Sequence, residues 1–275
     1  MPTDLVETKL HPPKPRVGAV HRPRLAERLA RGASSKLTLL SAPPGFGKST
    51  LVGEWIAARP PTEPVAWLSL DAGDNDPSGF WRYVIAALRT AGPETCAEAA
   101  AVLENPEPQV ERALRSLLND LATVPQDVVL VLDDFHVIER PEIHDALARL
   151  IDRLPPNVHL VVTTRADPPL PLARLRVRGE LVEIRAADLR FTPDEAAAYL
   201  NGTMGLELTG ADVVALEART EGWIAALQLA ALSMQGRADV SSFIASFAGD
   251  DRYVFDYLAD EVLVRQPEGV RTFLL

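Results

Sequence analysis

The chain has 275 residues, 47% of them hydrophobic and 24% charged, which is ordinary globular usage and enough to bury a sizeable core. Its net charge is −10, from 28 basic and 38 acidic residues, a poor electrostatic match for a nucleic-acid backbone. No apolar run reaches the roughly 18 residues of a membrane span, and the lone cysteine, Cys96, excludes an internal disulfide framework and a cysteine-built metal site. The first 30 residues lack the apolar stretch of a secretory signal, and a single thiol suits a reducing compartment, so a cytoplasmic setting is expected.

The proline-rich stretch through Arg22 reads as an extended arm that leads into a short helix over Arg24–Arg31. Strands and helices then alternate. Leu37–Ser41 is a short apolar strand that stops at Pro43-Pro44-Gly45, and Ser49–Ala58 is helical. Val65–Leu70 is the next strand, and Pro77, with Asp76 as its cap, opens a helix whose apolar face is Phe80, Val84, Ala87 and Leu88. Val110–Leu121 has apolar residues at helical spacing, and Val128–Leu132 is an unbroken apolar run suited to a strand buried on both faces. A helix over Ile143–Leu154, a strand over Val158–Thr163 and a short strand over Leu181–Ile184 complete the alternation. It predicts a parallel, mostly buried sheet with crossover helices.

Beyond about Asp188 the pattern changes. Thr192-Pro193-Asp194-Glu195 is a capping box with proline at the first helical position, and helices are expected over 193–200, 210–218, 223–234, 240–247 and 251–265. The chain stops in the apolar run Phe273-Leu274-Leu275 with no terminating signal, so it reads as a piece of something longer.

The strongest motif is Ala42-Pro43-Pro44-Gly45-Phe46-Gly47-Lys48-Ser49-Thr50, placed after a strand and opening a helix. Glycines let successive backbone N–H groups converge on phosphate oxygens, a lysine supplies a point charge to the β- and γ-phosphates, and a hydroxyl ligates Mg²⁺. Lys48 and Ser49 take those two roles, with the N–H groups of Gly45, Phe46, Gly47, Lys48, Ser49 and Thr50 as the cradle. Ala42 stands where the usual pattern has its first glycine, which is tolerated if its φ is negative. At this composition a Gly-Lys-Ser/Thr arises by chance in roughly one such chain in fifty, and the strand–loop–helix setting is rarer still. A dinucleotide-binding reading fails, because Gly45-x-Gly47-x-x-Thr50 lacks its third glycine.

Two further strands end in chemistry. Val128–Leu132 runs into Asp133-Asp134, which by itself fits a turn or helix cap. Below a phosphate loop, Asp133 is instead expected on the Mg²⁺ shell and Asp134 is expected to polarise an attacking water. Val161-Val162-Thr163-Thr164-Arg165 ends in an arginine able to reach a γ-phosphate through charge-assisted bonds, its blander role being a surface arginine. Asp71, Asp74, Asn75 and Asp76 lack calcium-loop spacing and read as caps and turns. His136 and His144 lie without a nearby cysteine and predict no metal site. Trp223, Leu227, Ala231 and Met234 form a helical stripe expected in a core. The basic stretches Arg22–Lys36 and Arg174–Arg178 carry no interleaved aromatics and read as solvated helix faces or phosphate-facing loops.

Together these residues resemble the N-terminal ATPase module of MalT-like regulators, large ATP-dependent LuxR-type transcription activators of the STAND class of signal-transduction ATPases. The resemblance rests on Thr8-Lys9-Leu10, Val20-His21-Arg22-Pro23-Arg24-Leu25, the loop from Ser41 to Thr50, Trp67-Leu68-Ser69-Leu70-Asp71, Phe80-Trp81 and Asp133-Asp134-Phe135-His136. It extends through Thr164-Arg165, Leu172-Ala173-Arg174-Leu175-Arg176, Leu189-Arg190-Phe191-Thr192, Glu221-Gly222-Trp223 and Tyr257–Leu263, essentially the whole chain.

The resemblance implies an N-terminal arm over 1–23, a P-loop nucleotide-binding domain over 24–188, a small all-helical domain over 189–250, and the truncated start of a winged-helix domain over 251–275. It implies ATP or ADP with Mg²⁺ as ligands, Val20 and Arg22 near the nucleotide base, and slow Mg²⁺-dependent hydrolysis that resets a switch. ADP would hold a closed monomer, and ATP with an inducer would open it for self-association and transcription activation. Inducer and DNA would be met only through domains absent from this chain, and no membrane is involved. Where relatives carry Gly-x-Pro in the helical domain, this chain has Gly222-Trp223-Ile224. The competing class is a P-loop kinase or other phosphotransferase acting on a small acceptor; it needs an acceptor pocket and usually an arginine-bearing lid, and no such lid stands out after residue 188.

Overall fold

The computed structural model describes residues 5–247 apart from 16–17, 33–34, 61–62, 64, 93–95, 106–108 and 237–238. The helix expected over 251–265 and the winged-helix start lie outside the described residues. Two compact units result: Met1–Pro15, Pro23–Ala42 and Lys48–Arg185 form the first, and Arg16–Arg22, Pro43–Gly47 and Ala186–Leu275 the second.

The first unit is a five-stranded parallel sheet, β1 (Leu37–Ser41), β2 (Val65–Ser69), β3 (Val128–Asp133), β4 (Val158–Thr164) and β5 (Leu181–Arg185), in spatial order β2-β3-β4-β1-β5. The three inner strands β3, β4 and β1 are buried at every residue, which is why they are apolar-rich without alternation, β3 as an unbroken run and β1 and β4 with buried Thr38, His159 and Thr163 among their apolar residues. Its helices are α1 (Pro23–Gly32), α2 (Lys48–Ala57), α3 (Pro77–Ala91), α4 (Ala97–Leu103), α5 (Val110–Thr123), α6 (Pro141–Arg153) and α7 (Leu172–Val177). Leu37, Leu39, Leu130, Leu132, Leu160 and Val162 pack with Phe80, Trp81, Leu117 and Leu147 in one core.

Two helices of this unit escape the sequence pattern. Helix α4 is alanine-rich, with too few large apolar residues to show a stripe, and begins after Cys96 in a left-handed conformation (φ 67°). Helix α7 is six residues long, too short for periodicity; it buries Leu172 and Leu175 and turns Arg174 and Arg176 outward to Asp152 and Glu183. The Arg174–Arg178 stretch is thus in part a solvated helix face. The supposed extended arm also contains a single 3₁₀ turn, Glu7–Leu10.

The second unit is helical: α8 (Ala186–Leu189), α9 (Pro193–Ala197) running on into a π-helical turn (Ala198–Thr203), α10 (Gly210–Thr220), α11 (Ile224–Met234) and α12 (Val240–Ser246). The Thr192–Glu195 capping box forms as read. Its core gathers Phe191, Leu200, Val213, Leu216, Leu227, Ala231 and Met234, with Val20 packed against it. Gly222 has φ 67°, and a Cβ there would lie 2.4 Å from the Phe191 carbonyl oxygen, so the turn between α10 and α11 requires glycine.

Candidate functional site

Parallel pairing brings three strand ends to one level. Ser41 of β1 lies opposite Thr164 of β4, and Leu132 of β3 opposite Val162 of β4, so the carboxyl ends of β1, β4 and β3 are adjacent. In open α/β sheets this edge is where ligands bind. The chain leaving β1 makes the glycine loop, with Gly45 and Gly47 both at φ 75°, values that side chains rarely adopt. Ala42, in place of a glycine, is buried and is not among the described residues with positive φ.

Within the first unit, Lys48 opens α2 and is 7% exposed; its Nζ donates to the Ala42 carbonyl at 2.7 Å. Burial pushes its ammonium down to about 8, against the pull of Asp134 and Asp133, and the Arg165 charge adds to the depression. One residue on, Ser49 Oγ donates to Asp133 Oδ1 at 2.8 Å, and Thr163 Oγ1 donates to the same oxygen at 2.5 Å. Burial raises the Asp133 pKa and the charge of Asp134 adds to it, while the two hydroxyls and Lys48 oppose the rise. Asp134 takes a left-handed turn, φ 59°, and its N–H donates to Thr163 Oγ1 at 2.9 Å. Its carboxylate is half-exposed, 3.7 Å from His136 Nδ1. Arg165, just past β4, is partly buried and close enough to Lys48 to act on its charge. Lys48, Ser49, Asp133, Asp134 and Arg165 therefore converge.

A hydroxyl and a carboxylate 2.8 Å apart are a hard-oxygen pair that suits Mg²⁺. Among the described residues no group of three or more His, Cys, Asp or Glu side chains is placed to hold a metal ion by itself. The Ser49–Asp133 pair alone is too small a donor set to hold a cation, so any cation here would need further ligands from outside these two side chains.

Other predicted residues belong to the second unit. The Pro44 carbonyl accepts from Trp223 Nε1 at 3.2 Å, the Gly45 carbonyl from the Ala225 N–H at 3.2 Å, and the Phe46 and Trp223 rings lie 6.4 Å apart. Leu227, Ala231 and Met234 are core residues as expected, but Trp223 is not: it caps α11, half-buried, and holds the loop tip. Helical spacing groups it with the stripe because periodicity cannot see where a helix begins. Arg22 is buried; it donates to the carbonyls of Leu189 and Arg190 and to Glu195, and lies 4.3 Å over the Phe191 ring. Val20 is partly buried against the helical core. The sequence motifs passed over Thr163, whose only signal was a polar residue ending an apolar strand.

The strand order and this constellation define a P-loop-type α/β protein. Two solved structures share the fold: the Walker-type ATPase PABY2304 of Pyrococcus abyssi (TM-score 0.54, 16% identity, 84% of this chain and 72% of that one) and Cdc6p from Pyrobaculum aerophilum (0.51, 15%, 84% and 66%). No family model matches the chain. Curated relatives are the serine/threonine-protein kinase PknK of Mycobacterium tuberculosis, 37% identical over 270 residues, and the HTH-type transcriptional regulator MalT of Serratia proteamaculans, 36% identical over 274. Each alignment covers 98% of this chain, but the chain spans only 24% of the PknK length and 30% of the MalT length. Over almost its whole length the chain is similar to a segment that these regulators and this kinase share. Among the described residues no helix is long and apolar enough to cross a membrane.

Proposed function

We propose that this chain is the ATP-binding switch module of a MalT-like transcription regulator, a signal-transduction ATPase of the STAND class working in the cytoplasm. The observation that carries the reading is the convergence of Lys48, Ser49, Asp133, Asp134 and Arg165 at one sheet edge of the first unit. The N–H groups of Gly45 to Thr50 cradle the phosphates and Lys48 neutralises them. Ser49 and Asp133 hold Mg²⁺, which when bound offsets phosphate charge. Asp134, half-exposed beside the metal-side acid, orients the attacking water, and Arg165 senses the γ-phosphate by charge-assisted bonds. Val20 and Arg22 are assigned to the neighbourhood of the nucleotide base on the resemblance alone.

Switching requires that ATP bind the open, self-associating form better than the closed form favoured by ADP. The presence of homologous modules in a regulator and a kinase favours a switch separable from its output. With a charge of −10, this segment leaves DNA reading to another domain. The test is titration calorimetry of the purified chain with Mg-ATP and Mg-ADP, together with mass spectrometry of any nucleotide carried through purification. Saturable binding of adenine nucleotides is expected; wild-type protein that binds neither, and carries none, overturns the reading.

A further inference from the structure

The two acids that end β3 sit in unlike environments although they are adjacent in sequence. Asp133 is 6% exposed, whereas the Asp134 side chain is 47% exposed. The sharp left-handed turn at Asp134 separates them, and for a residue with a Cβ that turn costs about 1 kcal/mol. One side chain touches both sides of the turn. Thr163 is fully buried in β4, and its hydroxyl has a single hydrogen and two lone pairs. An amide N–H can only donate, so the Asp134 N–H takes a lone pair at 2.9 Å. The hydroxyl hydrogen is then committed to Asp133 Oδ1 at 2.5 Å. The direction of both bonds is therefore set.

We infer that Thr163 is the positioning residue of this site: one hydroxyl aims the metal-side carboxylate of Asp133 and pins the backbone turn that presents Asp134. This rests on the proposed nucleotide-binding function. Ser49 also donates to Asp133, but it belongs to the phosphate loop, so its hydroxyl answers to the ligand. Thr163 lies in an inner strand, with Val162 and Thr164 both buried, and its bonds need no ligand. Removing the hydroxyl leaves a carboxylate oxygen short of a charge-assisted bond and the Asp134 N–H short of its acceptor. The expected cost falls on Mg²⁺-dependent binding and on the Asp134 turn, while contacts of the glycine loop with phosphate stay intact.

The experiment compares wild type, Thr163→Val and Thr163→Ser as the 275-residue chain. Backbone amide exchange at Asp134 is followed without nucleotide or Mg²⁺, and ATP affinity is measured by calorimetry with and without Mg²⁺. In Thr163→Val, Asp134 exchange is expected to speed up about 10- to 100-fold, and the gain in ATP affinity from Mg²⁺ to shrink about tenfold, as for loss of one bond to a charged group. Metal-free ATP affinity stays at the wild-type value, and Thr163→Ser restores all three readouts. Should the valine variant not fold, Thr163→Cys, a weak donor, replaces it with the same expectations. Unchanged Asp134 exchange, a full Mg²⁺-dependent gain in the valine variant, or equal losses in the serine variant overturn the inference. A wild-type chain that binds no ATP overturns the functional reading instead, and the exchange comparison still tests the Asp134 turn.

Discussion

At the carboxyl end of β2, Asp71 and Asp74 form a capping box on a 3₁₀ turn, and Lys9 fills the space between them. Its Nζ lies 2.7 Å from both Asp74 oxygens, 3.0 Å from Asp71 Oδ2 and 4.7 Å from the Tyr83 ring centre. Lys9 holds the Asp71 carboxyl below the usual range. At the carboxyl end of the neighbouring strand β3, Asp133 receives two hydroxyls on Oδ1. Sequence shows both as acids after an apolar strand. What separates them is what touches the carboxylates. In the first cluster the Lys9 ammonium meets both acids directly and ties the N-terminal segment to the sheet; in the second, Asp133 meets two hydroxyls, one of them from the phosphate motif. An acidic cluster becomes a metal-site candidate through hydroxyl neighbours that can share a cation with it, and the count of its carboxylates says little.

The sharpest way to break this contrast is Lys48→Ala. Losing the buried charge of the loop is expected to weaken ATP and ADP about a thousandfold, about 4 kcal/mol, in calorimetry. Wild-type affinity there would sink the phosphate assignment. Asp74→Asn attacks the other cluster. It leaves the nearly buried Lys9 ammonium under-compensated and is expected to cost about 3 kcal/mol of stability, read from denaturant midpoints, with nucleotide affinity unchanged. A loss of nucleotide affinity would erase the distinction between the two clusters.

The amino ends of the same strands supply a control. There His159 is buried between Thr38 Oγ1, at 3.1 Å, and the Ser35 carbonyl, and burial lowers its pKa to about 4, with Arg59 adding to the fall and the Ser35 bond opposing it. Between about pH 6.5 and 4 the unfolded chain binds the extra proton, so stability falls as pH drops through that window. From pH 7 to pH 5 the loss is about 2 kcal/mol by this linkage. Thermal melts of wild type and His159→Gln should converge on acidification if His159 carries it, and parallel curves would exclude it. The smallest effect is expected for Asp133→Asn, which keeps the hydroxyl bonds but removes a charge. Mg²⁺-dependent ATP affinity should fall about tenfold, about 1.4 kcal/mol, with metal-free affinity unchanged. Asp133→Asn with the full Mg²⁺-dependent gain would place the metal elsewhere.

Much of this was legible in the sequence for a definite reason. An inner strand of a parallel sheet is buried on both faces, so Leu37–Ser41, Val128–Asp133 and Val158–Thr164 announce themselves as apolar-rich runs. Pro77 after Asp76, Pro193 after Thr192 and the glycines of the phosphate loop are local requirements of φ and of unsatisfied N–H groups, and local requirements are written in adjacent residues. Only the tertiary structure decided the rest. That Lys9 closes one acid pair, that Thr163 serves both Asp133 and Asp134, and that Trp223 holds the Pro44 carbonyl rather than filling a core are pairings across 65, 30 and 179 residues. Their partners are set by strand order and by where a helix starts, and a hydrogen bond leaves no periodicity in the chain that makes it.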